Sequence, residues 1–205
     1  VKTALIQLDE LFLLVVAGEF NSGKSAVLNA LLGEPVLEEG PTPTTERIHL
    51  LVHSDRADVT TPEPAIATVT SDAPVLAHMN VVDTPGTNAV LREHEAITRE
   101  FIPRADLVLF VTSADRPFTE SERAFLEAIR DWGKKVVLVI NKIDIVHQAQ
   151  DAERIEAFVV EKARELLGFA PAVFPVSARQ ALEAKRGDGV DDLWRQSRFQ
   201  GLEVY

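Results

Sequence analysis

Gly18 to Ser25 read Gly-Glu-Phe-Asn-Ser-Gly-Lys-Ser, directly after the apolar run Leu11–Val16. This is a strand feeding a glycine-rich turn that opens a helix, in the pattern G-x-x-x-x-G-K-[ST]. Glycines let such a turn curl so that successive N–H groups converge on phosphate oxygens, and the helix N-terminus adds its positive end. Gly18, Glu19, Phe20, Asn21, Ser22, Gly23, Lys24, Ser25 and Ala26 would form that cradle. Lys24 would reach the terminal phosphates, and the Ser25 hydroxyl would ligate Mg²⁺. The expected ligand is a nucleoside triphosphate. A chance glycine-rich turn is the alternative, and the strand before and helix after weigh against it.

Further motifs follow in an order that fits this chemistry. Asp83-Thr84-Pro85-Gly86 closes a strand, where an Asp can hold the Mg²⁺ shell and Gly86 can offer its N–H to a γ-phosphate. The same four residues also make a good turn. Asn141-Lys142-Ile143-Asp144 ends another strand. The Asp144 carboxylate can accept from guanine N1–H and N2–H₂, a donor pair that adenine lacks, and so select GTP. Asn141 would tie this loop to the phosphate loop, and the stem of Lys142 would cover the base plane. Ser177-Ala178 would supply a backbone N–H for guanine O6. Thr44 and Thr45 lie in a Pro-Thr loop, Pro41-Thr-Pro-Thr-Thr-Glu46. One hydroxyl there, Thr45 by preference, would complete the Mg²⁺ shell.

The elements that must position these residues alternate. Strands are expected at Leu11–Ala17, Arg47–Val52 (as an edge), Met79–Val82, Leu107–Thr112, Val136–Ile140 and Val173–Val176. Helices are expected at Ser25–Leu32 with Gly33 as C-cap, Leu91–Phe101, Thr119 to about Trp132 behind a Thr119/Glu122 capping box, and Ala149–Leu167 closed by Gly168. Asp55–Pro74 reads as an irregular connection with room for one short strand. Alternation argues an α/β domain: a mostly parallel, doubly wound sheet with helices on both faces, of the P-loop NTPase type. Residues 1–10 carry a short helical stripe. Residues 11–205 then form one domain whose last helix, near Leu202–Tyr205, is expected to be cut short, with no closing helix after the last strand.

The chain has 205 residues and a formal net charge of −11. That charge argues against nucleic acid and anionic lipid as direct partners of this chain. There is no cysteine, which excludes thiol catalysis and thiolate metal sites. The five histidines have no metal-ligand spacing. No apolar run has the length of a membrane span.

The wording of the motifs adds a resemblance. Glu19-Phe20-Asn21-Ser22-Gly23-Lys24-Ser25, Asn29-Ala30-Leu31-Leu32-Gly33, Pro43-Thr44-Thr45, Val82 to Asn88 and Phe110 to Pro117 resemble bacterial dynamin-like proteins. Within that group they most resemble the FZO-like, mitofusin-related branch of chloroplasts and cyanobacteria. The resemblance implies a dynamin-type GTPase domain of a membrane-remodelling protein, cytoplasmic or stromal. The full-length protein would be peripheral to a membrane reached through parts outside this chain, and residues 1–10 would be the end of a neck-type helix. Implied partners are GTP and GDP and a second copy of the domain. Small GTPases carry a glutamine after the D-x-x-G glycine, where this chain has Thr87. Slow hydrolysis by the isolated domain follows. Asn21 resembles the Asn of potassium-activated GTPases, which implies K⁺ beside the developing charge, although an Asn chosen for turn geometry explains it equally. Ser113–Thr119 resembles the loop that crosses a GTPase-domain dimer. Asp115 would make the trans contact, and Arg116 would either join it or stand as a surface charge. The alternative function is a translation-factor-class GTPase acting in ribosome assembly or as a nucleotide switch.

Overall fold

The computed structural model describes residues 11–40, 48–56, 66–84, 101–187 and 191–205. Calls on residues 1–10, on Thr44, Thr45, Gly86 and Thr87, and on the helix expected before Phe101 lie outside them. Seven strands form one sheet: β1 Phe12–Gly18, β2 Ile48–His53, β3 Ile66–Ser71, β4 Met79–Asp83, β5 Leu107–Ser113, β6 Val136–Asn141 and β7 Ala172–Pro175. Their order is β3-β2-β4-β1-β5-β6-β7. All neighbours are parallel except β2 and β4, which run antiparallel.

The continuous apolar runs of β1, β5 and β6 arise because both faces are covered. Leu13, Val15, Ala17, Val108, Phe110, Leu138 and Ile140 face one cluster. It is completed by α2 (Glu120–Asp131) and α3 (Ala149–Leu167), through residues such as Leu126, Ile129, Val159 and Ala163. Leu14, Val16, Leu109, Val111, Val137 and Val139 face the other. There α1 (Lys24–Leu32) and α4 (Ala178–Arg186) pack, followed by α5 (Asp191–Ser197) and α6 (Gln200–Val204), with Phe199 fully buried. The doubly wound expectation is met.

The capping box is present. The Glu122 N–H donates to Thr119 Oγ1 at 3.3 Å, and the Thr119 N–H donates to Glu122 Oε2 at 3.0 Å. Helices α1 and α3 end at Gly33 and Gly168. Two expectations are corrected. The strand expected at Arg47–Val52 is not an edge: β2 lies between β3 and β4, and β3 is the edge strand. Its Thr-rich, half-exposed sequence carries little apolar signal, which hid it inside the stretch read as irregular. After β7 the sheet is also not bare, because α4 and α6 cover that face.

Candidate nucleotide site

The phosphate loop connects β1 to α1. Two of its glycines are required by close approach. A Cβ on Gly18 (φ 151°) would stand 2.1 Å from the Val111 carbonyl oxygen, and one on Gly23 (φ 88°) would stand 2.2 Å from Asn141 Nδ2. Between them Asn21 is exposed and left-handed (φ 63°), a conformation that Asn adopts more readily than other side chains.

Lys24 opens α1 and is buried. Its Nζ donates to the carbonyls of Gly18 (3.2 Å) and Glu19 (3.1 Å). Burial pushes its pKa down, against the opposing pull of Asp83, Glu122 and Glu19. Asp83 ends β4 and is fully buried beside it. Burial pushes its carboxyl up to about 6, with Lys24, the Ser25 hydroxyl and the Thr84 N–H working the other way. Ser25 Oγ donates to Asp83 Oδ2 at 3.3 Å. Asp83 Oδ1 is buried without a hydrogen-bond partner among the described residues. A buried carboxylate oxygen left unpaired beside a serine hydroxyl is the hard-oxygen donor set that suits Mg²⁺. Thr84 Oγ1 donates to the Val16 carbonyl at 2.8 Å and locks β4 to β1 at this point.

The second half of the site sits on the ends of β6 and β7. Asn141 is buried, and its amide spans the site. Nδ2 donates to the Ser22 carbonyl at 3.1 Å, and Oδ1 accepts the Ala178 N–H at 3.1 Å. Lys142 is left-handed (φ 64°) and its Nζ donates to the Asn21 carbonyl at 2.6 Å. Asp144 lies in the helical turn Ile143–Ile145, anchored by the Ile143 N–H on the Val176 carbonyl. Burial works against its charge, but the Ser177 hydroxyl and Arg179 prevail and hold its carboxyl below the usual value. Arg179 Nη2 donates to Asp144 Oδ2 at 2.9 Å.

Lys24, Ser25, Asp83, Asn141, Lys142, Asp144, Ser177 and Ala178 are thus brought to one end of the sheet. One detail differs from the sequence reading. The Ser177 N–H donates to the Ser197 carbonyl, and the Ala178 N–H donates to Asn141, so both backbone donors expected to face a base are engaged within the fold. Three residues escaped sequence reasoning. Arg179 follows Ala178 directly but carries no motif signal. Glu122 was read only as a cap, yet it is buried, accepts from Thr112 Oγ1 at 3.0 Å and stands within electrostatic reach of Lys24. Asn29 was part of a motif without a role; fully buried, it holds both backbone groups of Leu37 at 2.9 Å. A cavity of about 440 Å³ opens beside the base loop, lined by Ala26, Glu39, Ala178, Arg179, Leu182 and Glu183 among others.

The loop from Ser113 to Thr119 lies next to this site. Ser113 Oγ donates to Asp115, and that bond, with Lys142 and Arg116 nearby, holds the Asp115 carboxyl low. Ser121 Oγ donates to Glu19 Oε1 at 3.0 Å, joining the start of α2 to the phosphate loop.

A family model described as 50S ribosome-binding GTPase matches residues 13–142, from β1 through Lys142. The chain belongs to this GTPase family. As a GTPase domain it is 46% identical to the probable transmembrane GTPase FZO-like, chloroplastic, of Arabidopsis thaliana, a match covering 98% of this chain and 24% of that protein. The chain therefore spans about a quarter of that relative's length. The resemblance to the FZO-like branch is borne out. A solved structure of an oligomerised bacterial dynamin pair superposes with a TM-score of 0.79 at 18% identity, covering 100% of this chain and 41% of that one. The structure of Era in complex with MgGDPNP and a segment of 16S ribosomal RNA superposes with a TM-score of 0.59 at 23% identity, over 94% of this chain and 54% of Era. At those identities the two likenesses establish the fold. Among the described residues no helix is long and apolar enough to cross a membrane.

Proposed function

We propose that this domain is the GTP-hydrolysing engine of a dynamin-like membrane-remodelling GTPase, slow alone and stimulated when two GTPase domains pair. The observation that carries this reading is the joining of Lys24, Ser25 and Asp83 to Asn141 and Asp144 at one sheet end, in a chain 46% identical to an FZO-like protein over nearly its whole length. Gly18 to Ala26 cradle the phosphates, and Lys24 leaves its two carbonyl partners to meet them. Ser25, Asp83 and Thr45 would hold Mg²⁺, and Thr44 and Gly86 would serve the γ-phosphate. Mg²⁺ bound there would neutralise charge on the β- and γ-phosphates. Asp144 reads guanine, Lys142 covers it and Asn141 joins the two halves. Asn21 would contact K⁺ if the domain is potassium-activated. Asp115, with Arg116, makes the contact across the pair.

The whole protein would act at a membrane from the cytoplasm or a stroma, through parts other than this domain, with residues 1–10 leading from a neck. The experiment is GTP turnover per molecule against protein concentration, in potassium and in sodium buffer. A rate per molecule that rises with concentration supports pairing, and Asp115→Ala should abolish the rise. A flat rate overturns it. A greater rate in potassium, lost in Asn21→Ala, supports the K⁺ role, and equal rates in the two buffers overturn it. A second reading, a ribosome-linked GTPase, is favoured by the family description alone. GTP-dependent cosedimentation with large ribosomal subunits would replace the first reading with the second.

A further inference from the structure

Arg179 stands at the edge of the base loop with no assigned part. Its side chain is 70% exposed, while the Asp144 side chain it grips is only 10% exposed. An exposed side chain therefore bonds a nearly enclosed carboxylate. Besides a backbone hydrogen bond within its own loop, the Asp144 carboxylate has two side-chain partners, the Ser177 hydroxyl and Arg179. Ser177 is buried and fixed, because its Oγ also accepts the Gln180 N–H at 3.2 Å as the N-cap of α4. The guanidinium is the adjustable restraint. It comes from the first turn of the same helix and reaches Oδ2 at 2.9 Å.

Guanine recognition asks more of a carboxylate than charge. Its N1–H and N2–H₂ lie side by side, so both oxygens must lie in the base plane together. The terminal torsion of an Asp side chain is broad and weakly restrained by its own rotamer preference. Something outside the residue must set the plane. A carboxylate oxygen has two lone pairs, so Arg179 can hold Oδ2 and leave that oxygen able to accept from the base. We propose that Arg179 is a guanine-specificity residue that acts through Asp144, fixing the carboxylate plane so that both oxygens engage the base at once. This rests on the proposed base-reading role of Asp144. Without Arg179 the carboxylate still bears its charge and keeps its Ser177 partner, but with one fewer fixed contact its plane is set less sharply. A base that presents only one donor loses little by that. Guanine, which presents two, loses more.

Hypoxanthine separates the cases, because it keeps N1–H and lacks the 2-amino group. The test measures Kd for GTP and for inosine triphosphate, with Mg²⁺, on wild type, Arg179→Ala and Arg179→Lys. Arg179→Ala should weaken GTP by about fivefold, the upper end for a largely exposed ion pair, and inosine triphosphate by less than about twofold. The preference for GTP therefore narrows. Arg179→Lys, a point charge without the planar fork, should restore part of it. Added salt should narrow the wild-type preference and leave that of Arg179→Ala unchanged, a dependence that a packing role for the side chain would not produce. An unchanged GTP preference in Arg179→Ala overturns the proposal. So does tighter GTP binding, which would mean that Arg179 competes with the base. Asp144→Asn is run in parallel. If it too leaves guanine preference intact, the base-reading role of Asp144 fails and takes the proposal with it; if only Arg179→Ala is silent, Asp144 reads the base unaided.

Discussion

The two ends of the nucleotide site solve the same problem in opposite ways. At the phosphate end, Lys24 and Asp83 are both buried and burial dominates. The lysine is pushed down and the aspartate is pushed up to about 6, so each charge is held at a disadvantage. At the base end, burial also opposes the charge on Asp144, but hydrogen bonds from Ser177 and Arg179 win and keep it ionised. The difference matches the proposed ligand. A polyphosphate brings its own charge and counter-ion, and a site whose groups are already desolvated gains most when those arrive. A base brings only dipoles, so the protein must supply the full charge and hold it still beforehand. Burial that outweighs its partners marks the phosphate end, and partners that outweigh burial mark the base end.

Three changes break that contrast, in decreasing size. Lys24→Ala removes the cation of the phosphate end and should weaken GTP and GDP by at least about a hundredfold, the scale of losing a charge-assisted contact in a dry site. Isothermal titration checks it, and normal affinity would remove Lys24 from the site. Asp144→Asn alters only the base end. It should reduce GTP affinity by about a hundredfold and turn preference toward xanthosine triphosphate, because the new amide can donate where the carboxylate accepted. Unchanged selectivity in a competition assay would discard the assignment. The third concerns pH. An Asp83 carboxyl moved from 3.8 to about 6 makes the native state bind more protons than the unfolded chain within that window. Stability of the nucleotide-free, Mg²⁺-free domain should therefore fall as pH rises from about 4 to about 6, by up to about 3 kcal/mol. Asp83→Asn should flatten that part of the curve in urea unfolding. A stability difference between wild type and Asp83→Asn that grows with pH across that window would show instead that the charge on Asp83 is favoured in the fold.

The two ends also differ in how far the sequence reveals them. The meeting of Lys24, Ser25, Asp83, Asn141 and Asp144 at one sheet end was legible because each lies at or soon after the end of a largely apolar strand, and such strands mark their ends closely. The capping box of α2 was legible because it needs only Thr119 and Glu122 three apart. Arg179 was not legible, since its contact with Asp144 joins residues 35 apart and a surface arginine looks the same with or without a partner. The electrostatic reach of Glu122 to Lys24 was hidden for the same reason. In the fold, β3 was foreseen only as one short strand left unplaced within Asp55–Pro74, because Ile66–Ser71 is half-exposed on both faces and its pattern does not alternate. Helix α4 was missed because it buries Ala178 and Ala181, residues too small to draw an apolar stripe. Local rules recover what is written in consecutive residues, and contacts across the sheet end come only from folding.

Asn141 belongs to neither end, and this makes it the sharpest probe of whether the contrast describes two sites or one. Its amide donates to Ser22 in the phosphate loop and accepts from Ala178 in the base loop, with the side chain buried. Asn141→Ala leaves the Ala178 N–H and the Ser22 carbonyl without their partner, a loss of about 2 kcal/mol in stability for a buried polar network. Asn141→Asp keeps the acceptor for Ala178 and removes the donor to Ser22. If the ends are held as one unit by this amide, Asn141→Asp should weaken GDP binding and also narrow the preference for GTP over inosine triphosphate, though the mutation touches only the phosphate-loop contact. If the ends are independent, phosphate affinity falls and base preference stays where it was. Measuring both nucleotides on the same folded variant separates the outcomes. The geometry favours the first, because the Asn141 amide donates to the Ser22 and Gly23 carbonyls while its oxygen holds the Ala178 N–H.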